Sequence, residues 1–179
     1  MTLEEKTVRE NVVFRGKIIT VRRDDAVLPD GKPCSREIVE HPGGACALYV
    51  REGKVLLVRQ FRYAYGETTW EIPAGKLNPG QPPEQTAARG LEEQTGWVPA
   101  ALKHLYTIYP TPGYSNEKIY IYEASGVREG HVHPDEDEFV DSAFFSVEEA
   151  ARMIRAGEIR DAKTIIAIQY YLLSEKNAV

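Results

Sequence analysis

Residues 69–97 read Thr-Trp-Glu-Ile-Pro-Ala-Gly-Lys-Leu-Asn-Pro-Gly-Gln-Pro-Pro-Glu-Gln-Thr-Ala-Ala-Arg-Gly-Leu-Glu-Glu-Gln-Thr-Gly-Trp. The order of residue types gives a short strand, a Gly-rich loop and a helix. Gly75 and Gly80 suit a turn that needs positive φ, Pro79 fixes it, and Pro82 and Pro83 fall where a first helical turn tolerates a missing N–H. Gly96 is a natural stop. At about 100° per residue, Ala87, Ala88, Leu91 and Thr95 share a side that suits packing against a sheet.

The opposite side carries positions 86, 90, 93, 94 and 97, and Arg89 precedes Glu93 by four residues, the spacing of a helical ion pair. Here the stretch resembles the box of the Nudix family: Gly, five residues, Glu, seven residues, Arg-Glu, an aliphatic residue, any residue, Glu-Glu, any residue, Gly, and an apolar residue. Gly75, Arg89, Leu91, Glu93, Gly96 and Trp97 are in register, whereas Gln81, Gly90 and Gln94 stand where the box has glutamates.

In that family the helix carboxylates resemble a cage for Mg²⁺, a hard cation that takes carboxylate, phosphate and water oxygens. The resemblance implies Mg²⁺ or Mn²⁺ as cofactor, weakly bound here, because positions 90 and 94 carry no charge. Gln94 offers a neutral carbonyl oxygen and Gly90 offers none, while Glu92 projects to nearly the opposite side from position 90. Glu93 has two open roles, metal ligand or ion-pair partner of Arg89. The carbonyl of Ala74, before the box glycine, is the third ligand that the resemblance implies. Restoring Gly90→Glu with Gln94→Glu is expected to raise Mg²⁺-dependent hydrolysis by orders of magnitude.

The chain has 179 residues, 42% hydrophobic, enough for one good core with an appendage. It contains no apolar run of transmembrane length and no apolar signal core at Met1–Lys6, which points to a cytoplasmic protein without a membrane partner. Twenty-two basic against 27 acidic residues give a net charge of −5, which argues against nucleic-acid binding. Cys34 and Cys46 lack CxxC spacing and read as ordinary small residues rather than a zinc site or a disulfide.

Outward from the box, residues 1–40 read as antiparallel strands (12–14, 17–28 and 35–40) around a Pro29-Asp30-Gly31 turn. They are too small a sheet to stand alone. Residues 45–51 and 54–60 form a hairpin, and strands follow at 98–109, 117–122 and 139–145. Ser146 caps a helix to Ala156, and a last helix runs from Asp161 to about Leu173 with Ile165, Ile168, Tyr170, Tyr171 and Leu172 as its apolar face. Phe61, Tyr63, Tyr65 and Trp70 read as core. The expected architecture is α/β: a mixed β-sheet sandwiched between helices over residues 41–179, the Nudix fold, with an N-terminal antiparallel β extension over 1–40. That extension resembles the exchanged segment of ADP-ribose pyrophosphatases, which implies a homodimer.

The runs Arg36-Glu37-Ile38-Val39-Glu40-His41-Pro42-Gly43 and Arg59-Gln60-Phe61-Arg62 are similar to segments of that subgroup whose arginines hold a pyrophosphate. A guanidinium fork suits phosphate oxygens at any working pH. Pro112, fifteen residues past Trp97, is a further point of resemblance, and Tyr114 beside it is the candidate for touching a nucleotide. In the acidic run 135–138, Glu138 and then Glu136 are the candidates to position or deprotonate the attacking water, as in similar enzymes. The bland readings are surface arginines for Arg36 and Arg62, a solvated loop for 135–138, and a surface pair for His131 and His133. The resemblance implies hydrolysis of ADP-ribose or a related nucleoside diphosphate sugar to AMP and a sugar phosphate. The alternative is a weakly active or inactive module that binds the nucleotide sugar.

Overall fold

Four strands build the N-terminal unit: β1 (Lys6–Arg9), β2 (Val12–Arg15), β3 (Thr20–Val27) and β4 (Pro33–Glu40). The computed structural model describes residues 2–133 and 139–176. β3 is the spine. It pairs antiparallel with β4 along its whole length, from Thr20↔Glu40 to Val27↔Pro33, across the Pro29-Asp30-Gly31 turn, which the Gly31 N–H closes onto the Leu28 carbonyl. Its other edge is covered end to end by β2 and by β1, a strand the sequence reading missed. Asp24 is buried within this sheet and held by Arg22 at 2.8 Å and by the Asn11 amide at 3.1 Å. The unit extends from the N-terminus to Gly43 and takes in Tyr109–Lys118, a loop whose Tyr114 carbonyl accepts the Val39 N–H (2.7 Å).

The second unit comprises Gly44–Ile108 and the chain from Ile119 onward. Its elements are β5 (Gly44–Leu48), β6 (Val50–Arg51), β7 (Lys54–Arg62), β8 (Glu67–Glu71), β9 (Ala74–Lys76), α1 (Pro83–Thr95), β10 (Trp97–Val98), β11 (Ala101–Ile108), β12 (Ile119–Ser125), β13 (Arg128–Glu129), β14 (Asp141–Ser146), α2 (Val147–Arg155) and α3 (Ala162–Lys176). The strands form a mixed sheet, β11-β12-β5-β9, in which β12 and β5 are parallel, and an antiparallel sheet of β14, β7, β6 and β8. β10 and β13 make a small ribbon. The α/β class stands, with the strands divided between two sheets rather than gathered in one.

β5 shows how the layers are made. Successive side chains of a strand point to opposite faces. Ala45 and Ala47 therefore pack with Ala87 and Leu91 of α1, while Cys46 and Leu48 pack with Ala167 and Ile168 of α3. All eight are buried. α2 adds Val147, Ala150 and Met153, three residues apart and so on one face, to the α3 side of the core. Ser146 caps α2 as its sequence predicts, accepting the Glu149 N–H at 3.1 Å.

The aromatic cluster is a correction. Phe61, Tyr63 and Tyr65 are 58%, 92% and 80% exposed at the β7–β8 turn, and only Trp70 packs inward, edge-on to Phe145. Phe139 is also exposed, and β14 begins two residues later, at Asp141.

Candidate active site

α1 starts with Pro83 at its first position and stops at Gly96, whose φ of 75° is the left-handed C-cap that glycine adopts without strain. The core side is the one the periodicity gives, apart from a half-buried Ala88. The side expected to carry chemistry is packed too, since Thr86, Gly90 and Gln94 are all buried. Spaced by four, they form one ridge, and β9 lies along it. A Cβ on Gly90 would sit 2.7 Å from the Ala74 carbonyl carbon and 2.8 Å from the Gly75 nitrogen. No side chain fits there unless the backbone moves. A Cβ on Gly75 would in turn meet the Thr86 carbonyl at 3.1 Å.

The other box residues close the same joint. The Gln94 Oε1 accepts the Ala74 N–H at 3.0 Å. Arg89 donates to Glu93 Oε2 at 3.1 Å, an ion pair within the helix, and to the Lys76 carbonyl at 3.0 Å, a hydrogen bond by which the helix grips the end of β9. Of the three expected metal ligands, Glu93 is thus engaged by Arg89 and Gln94 by the Ala74 amide, and the Ala74 carbonyl lies against Gly90.

A second constellation gathers around Glu71, the last residue of β8. Glu71, 2% exposed, accepts four hydrogen bonds: at Oε1 from Arg62 Nε (2.6 Å) and the Thr69 hydroxyl, and at Oε2 from Arg62 NH2 (2.6 Å) and the Lys163 ammonium. Burial pushes its pKa up, but the Arg62 hydrogen bonds and the Lys163 and Arg62 charges pull harder, leaving it at about 2. Burial likewise pushes Lys163 down, and Asp161 and Glu71 more than reverse this, so the ammonium is held charged. Lys163 also meets Asp161 at 2.9 Å. Asp161 accepts the Thr164 N–H at 3.0 Å as the N-cap of α3, and the Thr164 hydroxyl accepts the Ile72 N–H at 2.8 Å.

Of this constellation the sequence expectation names Arg62 alone, as a diphosphate contact; Glu71, Lys163 and Asp161 are not in it. A lysine in the first turn of a helix opposes the helix dipole, and that misfit was the available signal.

Arg36 forks onto Glu5, with Nε at 2.8 Å from Oε2 and NH2 on Oε1. Arg36, Pro112 and Tyr114 belong to the N-terminal unit, where Tyr114 is 58% exposed. Glu136 and Glu138 lie outside the described residues. His131 and His133 are exposed, with the His133 ring hydrogen-bonded to the His131 carbonyl at 2.8 Å. Cys34 and Cys46 are free thiols, and burial pushes Cys46 up to about 12, too high for a nucleophile at neutral pH.

The model of the NUDIX domain matches residues 39–167. The chain belongs to the Nudix family. A second model, described as the nucleoside diphosphate sugar hydrolase N-terminal domain, matches residues 5–39. Over 177 residues the chain is 43% identical to an ADP-ribose pyrophosphatase of Bacillus subtilis, covering 97% of this chain and 96% of that protein. It is 39% identical to a methanol dehydrogenase activator of Bacillus methanolicus, covering 96% and 95%. An ADP-ribose pyrophosphatase of Mycobacterium tuberculosis is 33% identical over 91% of this chain and 81% of its own. A crystal structure of an ADP compounds hydrolase, 17% identical, superposes with a TM-score of 0.87 over 99% and 98% of the two chains and shows the same fold.

Nudix hydrolases generally use a divalent cation such as Mg²⁺. The described residues of this Nudix chain do not fit a preformed cage for one. Gly90 leaves no room for a ligand, Gln94 brings an amide, and Glu93, the carboxylate between them in the box, is paired to Arg89. No group of three His, Cys, Asp or Glu side chains that could hold a metal occurs among the described residues.

Proposed function

We propose that this Nudix protein hydrolyses the diphosphate of ADP-ribose or a related nucleoside diphosphate sugar to AMP and a sugar phosphate, with Mg²⁺ or Mn²⁺ only weakly bound because its cage is depleted. The observation that carries the reading is the match of both segments, residues 5–39 to a nucleoside diphosphate sugar hydrolase N-terminal domain and residues 39–167 to the NUDIX domain. The relatives named ADP-ribose pyrophosphatase, matched over 96% and 81% of their own lengths, support it. In this reading Arg62, with Arg36, neutralises the diphosphate, Tyr114 and Pro112 border the nucleotide, and Glu138 or Glu136 directs the attacking water. The water oxygen forms a bond to one phosphorus as the bridging P–O bond breaks. We further propose a cytoplasmic homodimer joined through the N-terminal strands. The exposed Val8, Val13 and Phe14 on those strands support that assembly, and no helix among the described residues is long and apolar enough to cross a membrane.

The packed joint between Gly90 and Ala74-Gly75 favours a second reading, a nucleotide-sugar binding module with little turnover. Product release from ADP-ribose at high Mg²⁺ and then Mn²⁺, with calorimetric binding on the same sample, separates the two. Turnover establishes the hydrolase, binding without turnover the module, and the absence of both overturns the substrate class.

A further inference from the structure

We propose that Lys163 is a positioning residue for substrate binding: through Glu71 it fixes the Arg62 guanidinium in the orientation that receives the diphosphate. The proposal rests on the reading of Arg62 as a diphosphate contact.

Arg62 closes β7 with 41% of its side chain exposed, and a long side chain at a strand end loses rotamer freedom when fixed. Glu71 supplies that order in advance by taking the Nε edge of the guanidinium in a two-point fork. A fork is only as well placed as the carboxylate that makes it. The Glu71 side chain is 3% exposed, and Thr69 on its own strand and Lys163 from α3 occupy the remaining lone pairs.

Lys163 is itself buried, at 8% exposure, and bound to Asp161, which caps the helix. The hydroxyl of Thr164 then ties that capped turn back to the Ile72 amide, one residue beyond Glu71. The path is closed: the Ile72 amide just past β8 holds α3 at Thr164, α3 holds Glu71 through Lys163, and Glu71 holds Arg62. Four buried or half-buried charges are a poor way to gain stability, because well-packed apolar side chains of similar volume often serve as well or better. Fixing the direction of a guanidinium is a task they cannot perform.

The experiment is a calorimetric double-mutant cycle on the full chain with ADP-ribose as probe, using wild type, Arg62→Ala, Lys163→Met and the double variant. Lys163→Met is expected to weaken binding about tenfold, and the double variant to bind no more weakly than Arg62→Ala alone. A lysine that served structure only would lower the melting temperature and leave the affinity of the folded protein unchanged. The proposal is overturned if Lys163→Met binds like wild type while Arg62→Ala does not, or if the two effects multiply. An Arg62→Ala variant with wild-type affinity overturns the underlying reading of Arg62 instead, and the proposal with it. Should Lys163→Met not fold, Thr69→Val removes one neutral hydrogen bond from Glu71 and keeps every charge. It is expected to weaken binding about threefold only when Arg62 is present, and wild-type affinity in that variant overturns the proposal.

Discussion

The Glu71 carboxylate grips Arg62 edge-on, Nε to Oε1 and NH2 to Oε2, both at 2.6 Å. Because this holds the pKa near about 2 rather than 4.5, Glu71 stabilises the fold fully above about pH 4.5. The contribution is on the order of 3 kcal/mol and is lost as pH falls from 4.5 toward 2. Urea unfolding between neutral pH and about pH 3 should show this acid slope, and Glu71→Gln should flatten it while lowering neutral stability by roughly 3 kcal/mol. An unchanged slope in Glu71→Gln would assign the acid sensitivity elsewhere.

Gly90→Ala tests the contact with β9 by the sign of its effect. In an ordinary helix interior the change stabilises by about 1 kcal/mol. Here the new methyl would meet the Ala74 carbonyl carbon at 2.7 Å, so the melting temperature is expected to fall. A rise would mean that the joint yields easily.

Gln94→Glu is the gentler restoration. A carboxylate oxygen can accept the same Ala74 N–H that the Gln94 amide oxygen now accepts, so the fold is retained. Mn²⁺ affinity measured by calorimetry should rise by about tenfold, as expected for regaining a charged oxygen ligand. The expectation that Gly90→Glu together with Gln94→Glu raises Mg²⁺-dependent hydrolysis by orders of magnitude meets a steric cost at position 90, because that residue must first displace Ala74 and Gly75. Gly90→Glu alone should lower stability and add little metal affinity.

Phe14→Asp tests the proposed assembly. Phe14 is 54% exposed and Val13 62%, on a strand that pairs on one edge of β3. A charge there should shift the elution of the intact chain in size-exclusion chromatography toward the monomer, with the far-UV spectrum unchanged. An unmoved peak places the interface elsewhere.

The family and the α/β architecture were legible because Gly75, Arg89, Leu91, Glu93 and Gly96 keep their spacing, and period and capping set α1 and α2. The packed state of the ridge Thr86-Gly90-Gln94 was not legible. Helical periodicity says which residues share a face but not what approaches it, and β9 arrives from elsewhere in the fold. The Glu71–Lys163 contact joins residues 92 apart in sequence, beyond any local pattern. Phe61, Tyr63 and Tyr65 misled because aromatic composition suggests burial, whereas the turn that joins β7 to β8 exposes them.

The close approach of Gly90 to Ala74 and Gly75 also gives the box a direction in time. A glutamine at 94 can give way to glutamate at no cost to this contact, since both residues satisfy the same amide. A glycine at 90 cannot, because the backbone has settled into the volume that a side chain would need. A lineage carrying this joint has an open path back at one position and a barred one at the other, so recovery of a full carboxylate set would have to begin with changes that loosen the Pro73-Ala74-Gly75 turn.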